Sequence, residues 1–426
     1  MNLAVASQLR RTFSALAVPN FRRYFIGQSV SLVGTWVQSV AQSWLVFSLT
    51  RSATDLGLVV AVQTLPVLVL GPYAGVIADR GDKRRLMVVL QALMGVQALV
   101  LGILAVAHLV TFWELCVLAL ALGLNNAFEN PSRQAFVLEM VGAKNVRNAV
   151  SLNSTMVNAA RAVGPAVAGL VIAVAGVGVC FLLNAASFVA VVYSLRSMDV
   201  ATLQPSPAAP RSGGQLREGL RYVARDPALA VPLLMMALVG TVAYEFQVSL
   251  PVVAGRTFHG GAETYGFLTA AMGIGAVLGG LLTATRGRTG LRPMTLAAAA
   301  FGATIALAAL SPSLLLEYGA LVLVGWGSVS FLATGNSSLQ LAAAPSMRGR
   351  VMALWAVAFM GSTPVGGPLV GWVIAQGGAR AGLGAGALSC VLAAALGAVV
   401  VYRVARRPVQ LTEQGPVGPV ATAEGA

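Results

Sequence analysis

Apolar residues recur along the chain in runs of about 20, separated by short charged or turn-rich breaks. A helix of about 20 residues rises ~30 Å, which matches the hydrocarbon core of a bilayer. The pattern predicts an all-α polytopic membrane protein with twelve transmembrane helices. They are expected at 24–48, 55–78, 86–108, 112–130, 149–174, 178–196, 229–253, 264–285, 293–312, 314–336, 350–376 and 382–402.

One break is much longer than the others. It starts with a Pro- and Ala-rich stretch and continues as a segment with Leu216, Leu220 and Val223 on one side and arginines on the other. This spacing is typical of an amphipathic helix, which we expect at the membrane surface. The predicted organisation is a six-helix half at 1–196, a cytoplasmic linker at 197–228, a second six-helix half at 229–403 and a disordered cytoplasmic tail at 404–426.

Short segments of the first half recur in the second half, in the same order and at nearly constant spacing. The pairs are Val33-Gly-Thr35 with Val239-Gly-Thr241, Asn130-Pro-Ser-Arg-Gln134 with Asn336-Ser-Ser-Leu-Gln340, and 165–172 with 368–374. Two parallel six-helix repeats with a binding site between them are a recurrent plan of secondary transporters.

The composition excludes most water-soluble classes of protein. Hydrophobic residues make up 57% of the chain and charged residues 10%, whereas a soluble domain carries about 25% charged residues. The net charge of +14 would suit a nucleic-acid binder, but 24 of the 28 Lys and Arg residues fall on one face of the predicted topology. The positive-inside rule therefore predicts that both termini are cytoplasmic, in a multi-pass protein of the cell (inner) membrane with no nucleic-acid partner.

Residues that hold metals or cofactors are scarce. The three cysteines fall inside apolar runs, and His108 and His259 are isolated near predicted helix ends. Neither lysine follows a glycine-rich phosphate loop, and the motifs of membrane hydrolases are missing. We expect no metal site, no cofactor and no enzymatic activity.

A charged motif stands between the second and third predicted helices. It reads Gly75-Val-Ile-Ala-Asp79-Arg80-Gly81-Asp82-Lys83-Arg84-Arg85, in which the first glycine permits close helix approach. The segment resembles motif A of the major facilitator superfamily, although Asp82 replaces the expected second glycine. Plain charge anchoring at the cytoplasmic face is the alternative. The resemblance implies the major facilitator fold and a gating role for Gly75, Asp79, Arg80, Lys83 and Arg84.

Further segments narrow the resemblance. Gly34-Thr35-Trp36, Asn130-Pro131 and Asn148-Ala-Val-Ser-Leu-Asn153 are similar to those of the enterobactin-exporter type of facilitator, and the similarity extends over about 20–376. Members of that group export siderophores, drugs or other secondary metabolites, so the resemblance implies efflux without naming the cargo.

Gly164 and Pro165, followed by Ala168 and Gly169, resemble part of the antiporter motif of the superfamily. The resemblance implies a helix bend at Gly164 and Pro165 that is associated with proton-for-drug exchange. A packing kink without directional meaning is the alternative, because Gly and Pro are tolerated in membrane helices.

Two ionisable residues lie deep inside predicted helices, where each is costly. Arg161 is ~20 Å along its helix from the cytoplasmic start, and Glu245 is ~24 Å along its own. We interpret Glu245 as the proton-coupling acid, with a structural hydrogen bond as the alternative. Arg161 either holds Glu245 ionised, binds an anionic group of the cargo or ties helices together. The polar stripes predict a cavity lined by Gln28, Thr35, Gln38, Asn158, Arg161, Thr241 and Tyr244.

Glu129 lies near the cytoplasmic end of the fourth predicted helix, beside Asn130-Pro131. In this superfamily an acid at that place pairs with the basic residues of motif A, so the resemblance implies a gating role for Glu129. Proton carriage and simple solvation of a helix end are the alternatives.

These features favour a secondary exporter of a small organic molecule that works by alternating access, as a monomer, in exchange for protons. An uptake permease of the same fold is the first alternative, and a non-transporting membrane receptor or scaffold is the second. The expected partners are the small-molecule cargo, protons and the lipid bilayer.

Overall fold

The computed structural model describes residues 13–204 and 215–405, and every regular element in these ranges is helical. The Pro-rich part of the linker and almost all of the predicted disordered tail lie outside the described residues. The helices are α1 (Pro19–Thr50), α2 (Ala53–Arg80), α3 (Lys83–Val106), α4 (Phe112–Ala175), α5 (Val177–Arg196), α6 (Gln215–Ala224), α7 (Pro227–Val242), α8 (Phe246–Val252), α9 (Ala262–Arg286), α10 (Leu291–Leu310), α11 (Leu314–Ala342), α12 (Arg348–Met360), α13 (Thr363–Gly377) and α14 (Ala379–Ala405).

Ten helical segments of the described chain are long and apolar enough to cross a membrane. The twelve predicted crossings require two additions. The helix α4 has 64 residues, or ~96 Å at 1.5 Å per residue, which is enough for two crossings. The helix α1 has 32 residues but carries a polar stripe that lowers its hydropathy, so length rather than composition qualifies it.

A single glycine divides α4 into two sections. Gly142 has a φ of 67°, a left-handed value that favours glycine, and an added Cβ would meet the side chain of Gln204. The backbone N–H of Gln204 donates to the carbonyl of Glu139 over 2.9 Å, so the start of the linker covers this break. The sequence predicts a loop at 131–148, whereas the structure is helical there except at Gly142.

The two halves contact each other mainly through two pairs of helices, α2 with α13 and α4 with α9. Each contact brings glycines together: Gly57 packs on Gly367, and Gly169 packs on Gly266 without room for a Cβ at Gly266. All four glycines lie toward the end of the bundle opposite the termini, so backbone-to-backbone packing closes that end.

The amphipathic helix α6 packs against the C-terminal half. The carboxylate of Glu218 lies 2.7 Å from the guanidinium of Arg350 on α12. The hydroxyl of Tyr222 accepts a hydrogen bond of 3.2 Å from the backbone N–H of Ala344. The linker helix is therefore attached to the helices that form the terminus end of the second half.

Candidate functional site

Two membrane-length segments of the C-terminal half are interrupted near each other. The helix α7 ends at Val242 and α8 begins at Phe246, and Glu245 lies in the gap with non-helical backbone angles of φ −82° and ψ 43°. A second gap separates α12 from α13, which begins at Thr363 beside the carboxyl group of Glu245. Discontinuous membrane helices are tolerated where the freed backbone lines a cavity, and transporters build sites from them.

A cavity of about 430 Å³ lies between the halves at these gaps. Helices α1, α2 and α4 form one wall, and α8, α9, α11, α12 and α13 contribute to the other. The volume is within the range of small-molecule sites. The larger apolar and aromatic groups of the wall belong to Trp36, Tyr244, Phe246, Leu250, Tyr265, Met272, Leu332, Phe359 and Met360.

A second cavity of about 540 Å³ extends from this region toward the end that holds the termini. It lies between α2 and α12 and shares Met360 with the first cavity. The space between the halves therefore continues toward the termini, while glycine contacts close the opposite end.

Arg161 reaches the central cavity from α4. Its guanidinium carbon lies 5.4 Å from the centre of the Trp36 ring, which is a cation–π distance. Tyr244 of the opposite half lies close enough to interact with it electrostatically. The Nε atom of Arg161 is buried and has no hydrogen-bond partner among the described residues. Stacking on Trp36 therefore holds the guanidinium while part of its hydrogen-bonding capacity stays unused.

Glu245 is 3% exposed and faces the same cavity from the gap between α7 and α8. Its Oε1 atom has no hydrogen-bond partner within the described part of the chain. The neighbouring Tyr244 does not supply one, because its hydroxyl donates to the carbonyl oxygen of Ser328 over 2.8 Å. The side chain of Thr363 hydrogen-bonds to the carboxyl group, so one carboxyl oxygen is buried without a partner and no cation of the described chain neutralises the group.

Arg161 and Glu245 share the cavity wall, but no ion pair joins them in the part of the chain that the structure describes. The sequence leaves open whether the two side chains meet. They contribute from opposite halves and each lacks a charged partner, so the sequence hypothesis that Arg161 holds Glu245 ionised by direct pairing is not supported.

Only Arg161 and Tyr244 of the seven predicted cavity residues line the central cavity in the described structure. The physical reason for four of the other five is that each uses its polar group within its own half or helix. The residues placed elsewhere are Gln28, Thr35, Gln38, Asn158 and Thr241.

Gln38 shows most clearly where these polar groups go. The side-chain amide of Asn184 donates to Gln38 over 2.7 Å, and Gln38 donates to Gln97 over 3.0 Å. The three side chains are buried and connect α1, α3 and α5. This network stabilises the packing of the first half and does not face a ligand.

The remaining polar groups of these stripes satisfy local needs. The hydroxyls of Thr35 and Thr241 donate to the carbonyls of Ser31 and Ala237, each four residues earlier. The amide of Asn158 likewise donates to the carbonyl of Ser154.

Gln28 is the exception among the predicted cavity residues outside the wall. It is 4% exposed, and its Oε1 atom has no partner among the described residues.

Gly164 and Pro165 do not break α4, because Gly142 is the one residue of that helix with non-helical backbone angles. Gly164 instead lets α1 approach closely, since an added Cβ there would collide with the side chain of Trp36. The pair therefore has a packing role beside the cavity, and the predicted helix bend is not seen as a change of backbone angles.

The cations of motif A pair differently from the expectation. The Nζ atom of Lys83 lies 2.7 Å from a carboxylate oxygen of Glu139 on α4, with both side chains buried. Arg84 donates to the carbonyl of Leu195 over 3.3 Å. Gly75 and the side chains of Asp79 and Arg80 lie outside the described part of this motif.

Glu129 pairs with Arg133, one helical turn later, over 3.0 Å. It also accepts a hydrogen bond of 3.3 Å from Gln91. The i,i+4 spacing within α4 provides a local cation, and among the described side chains of motif A none pairs with Glu129.

Most residues of the wall were not predicted, and Trp36, Ser328 and Thr363 are examples. A signal for Thr363 exists in the sequence, since Gly361-Ser-Thr-Pro364 interrupts an apolar run, and such interruptions mark the binding sites of transporters. Trp36 and Ser328 have no comparable signal, because their place in the wall depends on how the helices pack.

Comparisons with known proteins agree with this architecture. A family model described as transmembrane secretion effector matches residues 10–417. The staphyloferrin A transporter of Staphylococcus aureus is 28% identical over 61% of this chain, and the match spans 66% of that relative, just under two thirds of its length. The enterobactin exporter EntS of Shigella boydii is 26% identical over 83% of this chain and 85% of its own.

A solved structure of a bacterial homologue of the human lysosomal transporter Spinster shares the fold. It superposes with a TM-score of 0.71 at 14% identity and covers 90% of this chain and 96% of its own. The relatives confirm the similarity to the enterobactin-exporter type. The twelve predicted crossings in two halves fit a fold known for transporters. With a family match over nearly the whole length, the chain belongs to the transmembrane secretion effector family of the major facilitator superfamily and is a multi-pass membrane transporter.

Proposed function

We propose that this transporter exports a small organic molecule in exchange for protons, by alternating access of the central cavity to the two sides of the membrane. The observation that carries the proposal is Glu245, a buried acid at a helix gap in the cavity wall that has no cation beside it and one carboxyl oxygen without a partner among the described residues. An ionisable residue within a membrane segment marks an ion or proton pathway by default.

Export of the cargo is coupled to protons because the cargo and the proton compete for Glu245. When the cavity is open to the side with the lower pH, Glu245 takes a proton and the cargo leaves. When it is open to the cytoplasm, the acid loses the proton and the cargo binds. A carboxyl group that changes protonation with its surroundings is the simplest device for such an exchange.

The direction rests on topology and on relatives. The strong excess of Lys and Arg on the face that holds the termini favours cytoplasmic termini, so the open side of the cavity would face the cytoplasm. The name of EntS describes an exporter of enterobactin and that of the S. aureus relative a transporter of staphyloferrin A. A siderophore, a drug or another secondary metabolite is accordingly the proposed class of cargo.

The test uses inverted membrane vesicles that hold the protein and are energised by a pH gradient, with a panel of fluorescent organic cargoes. We expect accumulation that collapses when the gradient is dissipated. Glu245→Gln should lower gradient-driven accumulation by at least tenfold, while exchange of cargo down its own gradient survives. The matched control is Glu317→Gln, because Glu317 is also buried, at 1% exposed, but lies outside the cavity wall.

Normal accumulation by Glu245→Gln, with unchanged dependence on pH, would contradict the proposed coupling of export to protons. Accumulation in right-side-out instead of inverted vesicles would favour uptake, and an absence of any gradient-driven movement across the panel would favour a receptor or scaffold.

A further inference from the structure

Arg161 and Glu245 are the two charged side chains among the residues that line the central cavity. One comes from α4 of the first half and the other from the gap between α7 and α8 of the second. Each keeps an unused polar atom, the Nε of Arg161 and the Oε1 of Glu245, among the described residues. The cavity therefore presents a cation and an acid on opposite walls without joining them.

A purely structural role explains this arrangement poorly. A charge buried to hold helices together is stabilising only when a partner and hydrogen bonds repay its desolvation, and an unpaired one costs several kcal/mol. Lys83 and Glu139 in the same protein show the paired case, at 2.7 Å. Neither cavity charge has such a partner, which indicates that a ligand completes both.

We propose that the cargo is an amphoteric organic molecule, with an anionic group that binds Arg161 beside Trp36, a cationic nitrogen that binds Glu245, and an apolar body between them. The guanidinium offers a planar set of donors that matches a carboxylate. The apolar body fits the aromatic part of the wall, which includes Tyr244, Tyr265 and Phe359. This inference names the cargo class of the proposed exporter and rests on Glu245 acting as its coupling acid.

The charges of Arg161 and Glu245 also argue against a cargo that carries only one charge. A purely anionic molecule at Arg161 would face an ionised Glu245 in the same cavity and would bind best when that acid is protonated, which couples cargo and proton in the same direction. A purely cationic molecule would leave the guanidinium of Arg161 unpaired. A molecule with both charges satisfies both walls, and its cationic group competes with the proton at Glu245, as exchange requires.

The experiment measures equilibrium binding to the full-length protein in detergent, at neutral pH and without a gradient. Three probes share one apolar body: naphthylalanine, which is zwitterionic, its amide, which is cationic, and its N-acetyl derivative, which is anionic. Isothermal titration calorimetry gives the dissociation constants. We expect the zwitterion to bind at least tenfold more tightly than either derivative, since each derivative loses one charged contact with the cavity wall.

Two variants assign the contacts. Arg161→Gln should remove the advantage of the zwitterion over the amide and keep its advantage over the N-acetyl derivative. Glu245→Gln should do the reverse, and Arg161→Lys should restore part of the loss. Because the three probes already differ on the unaltered protein, the result does not depend on whether a variant folds.

Equal or tighter binding of the anionic or the cationic derivative overturns the proposal, as does the failure of all three probes to bind at millimolar concentration. Its failure is separable from that of the exporter function. Gradient-driven export that depends on Glu245, without preference for the zwitterion, would contradict only the proposed cargo class. Preference for the zwitterion without gradient-driven export would contradict only the proposed exchange for protons.

Discussion

Lys83 and Glu139 are buried together inside the first half, whereas Arg161 and Glu245 lie apart on the two walls of the central cavity. The first two lie 2.7 Å from each other, with side chains that are 6% and 8% exposed. The second two have no ion-pair partner among the described residues. Burial alone therefore does not distinguish a structural charge from a functional one in this protein, but pairing does.

The difference has an energetic reading. Breaking a buried ion pair leaves one uncompensated charge and is strongly destabilising, while neutralising an unpaired buried charge removes a cost. The paired site should respond to substitution through stability, and the unpaired site through transport and binding. Each prediction below is a way to break or sharpen that contrast.

The largest effect on stability is expected for Lys83→Ala. The carboxylate of Glu139 would stay buried without its cation, and we expect the free energy of unfolding to fall by about 3–5 kcal/mol. Unfolding titrations in mixed micelles measure the change. The matched control is Arg85→Ala, because Arg85 pairs with Asp82 at 3.1 Å but its side chain is 82% exposed, and such a pair is worth about 0–1 kcal/mol.

A second variant separates lost pairing from lost packing at this site. Lys83→Met combined with Glu139→Gln removes both charges and keeps the side-chain volumes, so most of the stability should return. If the double variant is as unstable as Lys83→Ala, packing and not charge holds this site together.

A smaller loss is expected for Gln38→Leu. The amide of Asn184 and the side-chain oxygen of Gln97 would each lose a partner in a buried network, and we expect the free energy of unfolding to fall by about 1–3 kcal/mol. Binding of the three probes should not change, because Gln38 lies outside the cavity wall. Gln340→Leu serves as the control, since that side chain is exposed. A loss of probe binding by Gln38→Leu with unchanged stability would indicate that Gln38 lines the cavity.

The smallest effect on stability is expected where the functional effect is largest. Arg161→Gln and Glu245→Gln each neutralise a cavity-wall charge that lacks an ion-pair partner among the described residues, so the free energy of unfolding should change by less than about 1 kcal/mol or rise. The same titrations measure it. A loss comparable to that of Lys83→Ala would mean that these charges hold the halves together, and the contrast between the two sites would disappear.

The repeat, the apolar runs and the motifs allowed much of the architecture to be predicted. The helical membrane fold and the similarity to exporters are confirmed. Arg161, Tyr244 and Glu245 lie in the cavity wall, and their roles stay predictions. The prediction for Glu245 used two patterns, the stripe on its own helix and its counterpart in the first half. Where both patterns agreed, the residue lines the cavity.

The predictions based on a polar stripe alone fared differently. Gln38 belongs to such a stripe on α1, yet its amide joins a network with side chains of α3 and α5. A polar face in a membrane helix shows that lipid is avoided, but both a cavity and a protein neighbour meet that requirement. One sequence does not distinguish the two.

The amino-acid sequence by itself determined the order of the membrane helices, the division into two halves and the positions of charges along each helix. These features follow from local hydropathy and helical periodicity. The tertiary structure decided the partner of each charge. Lys83 finds Glu139 and Glu129 finds Arg133, while Arg161 and Glu245 remain unpaired across the cavity. Such pairings depend on distances between helices that are far apart in the chain. Glycine contacts such as Gly57 with Gly367 set those distances, and no local pattern records them.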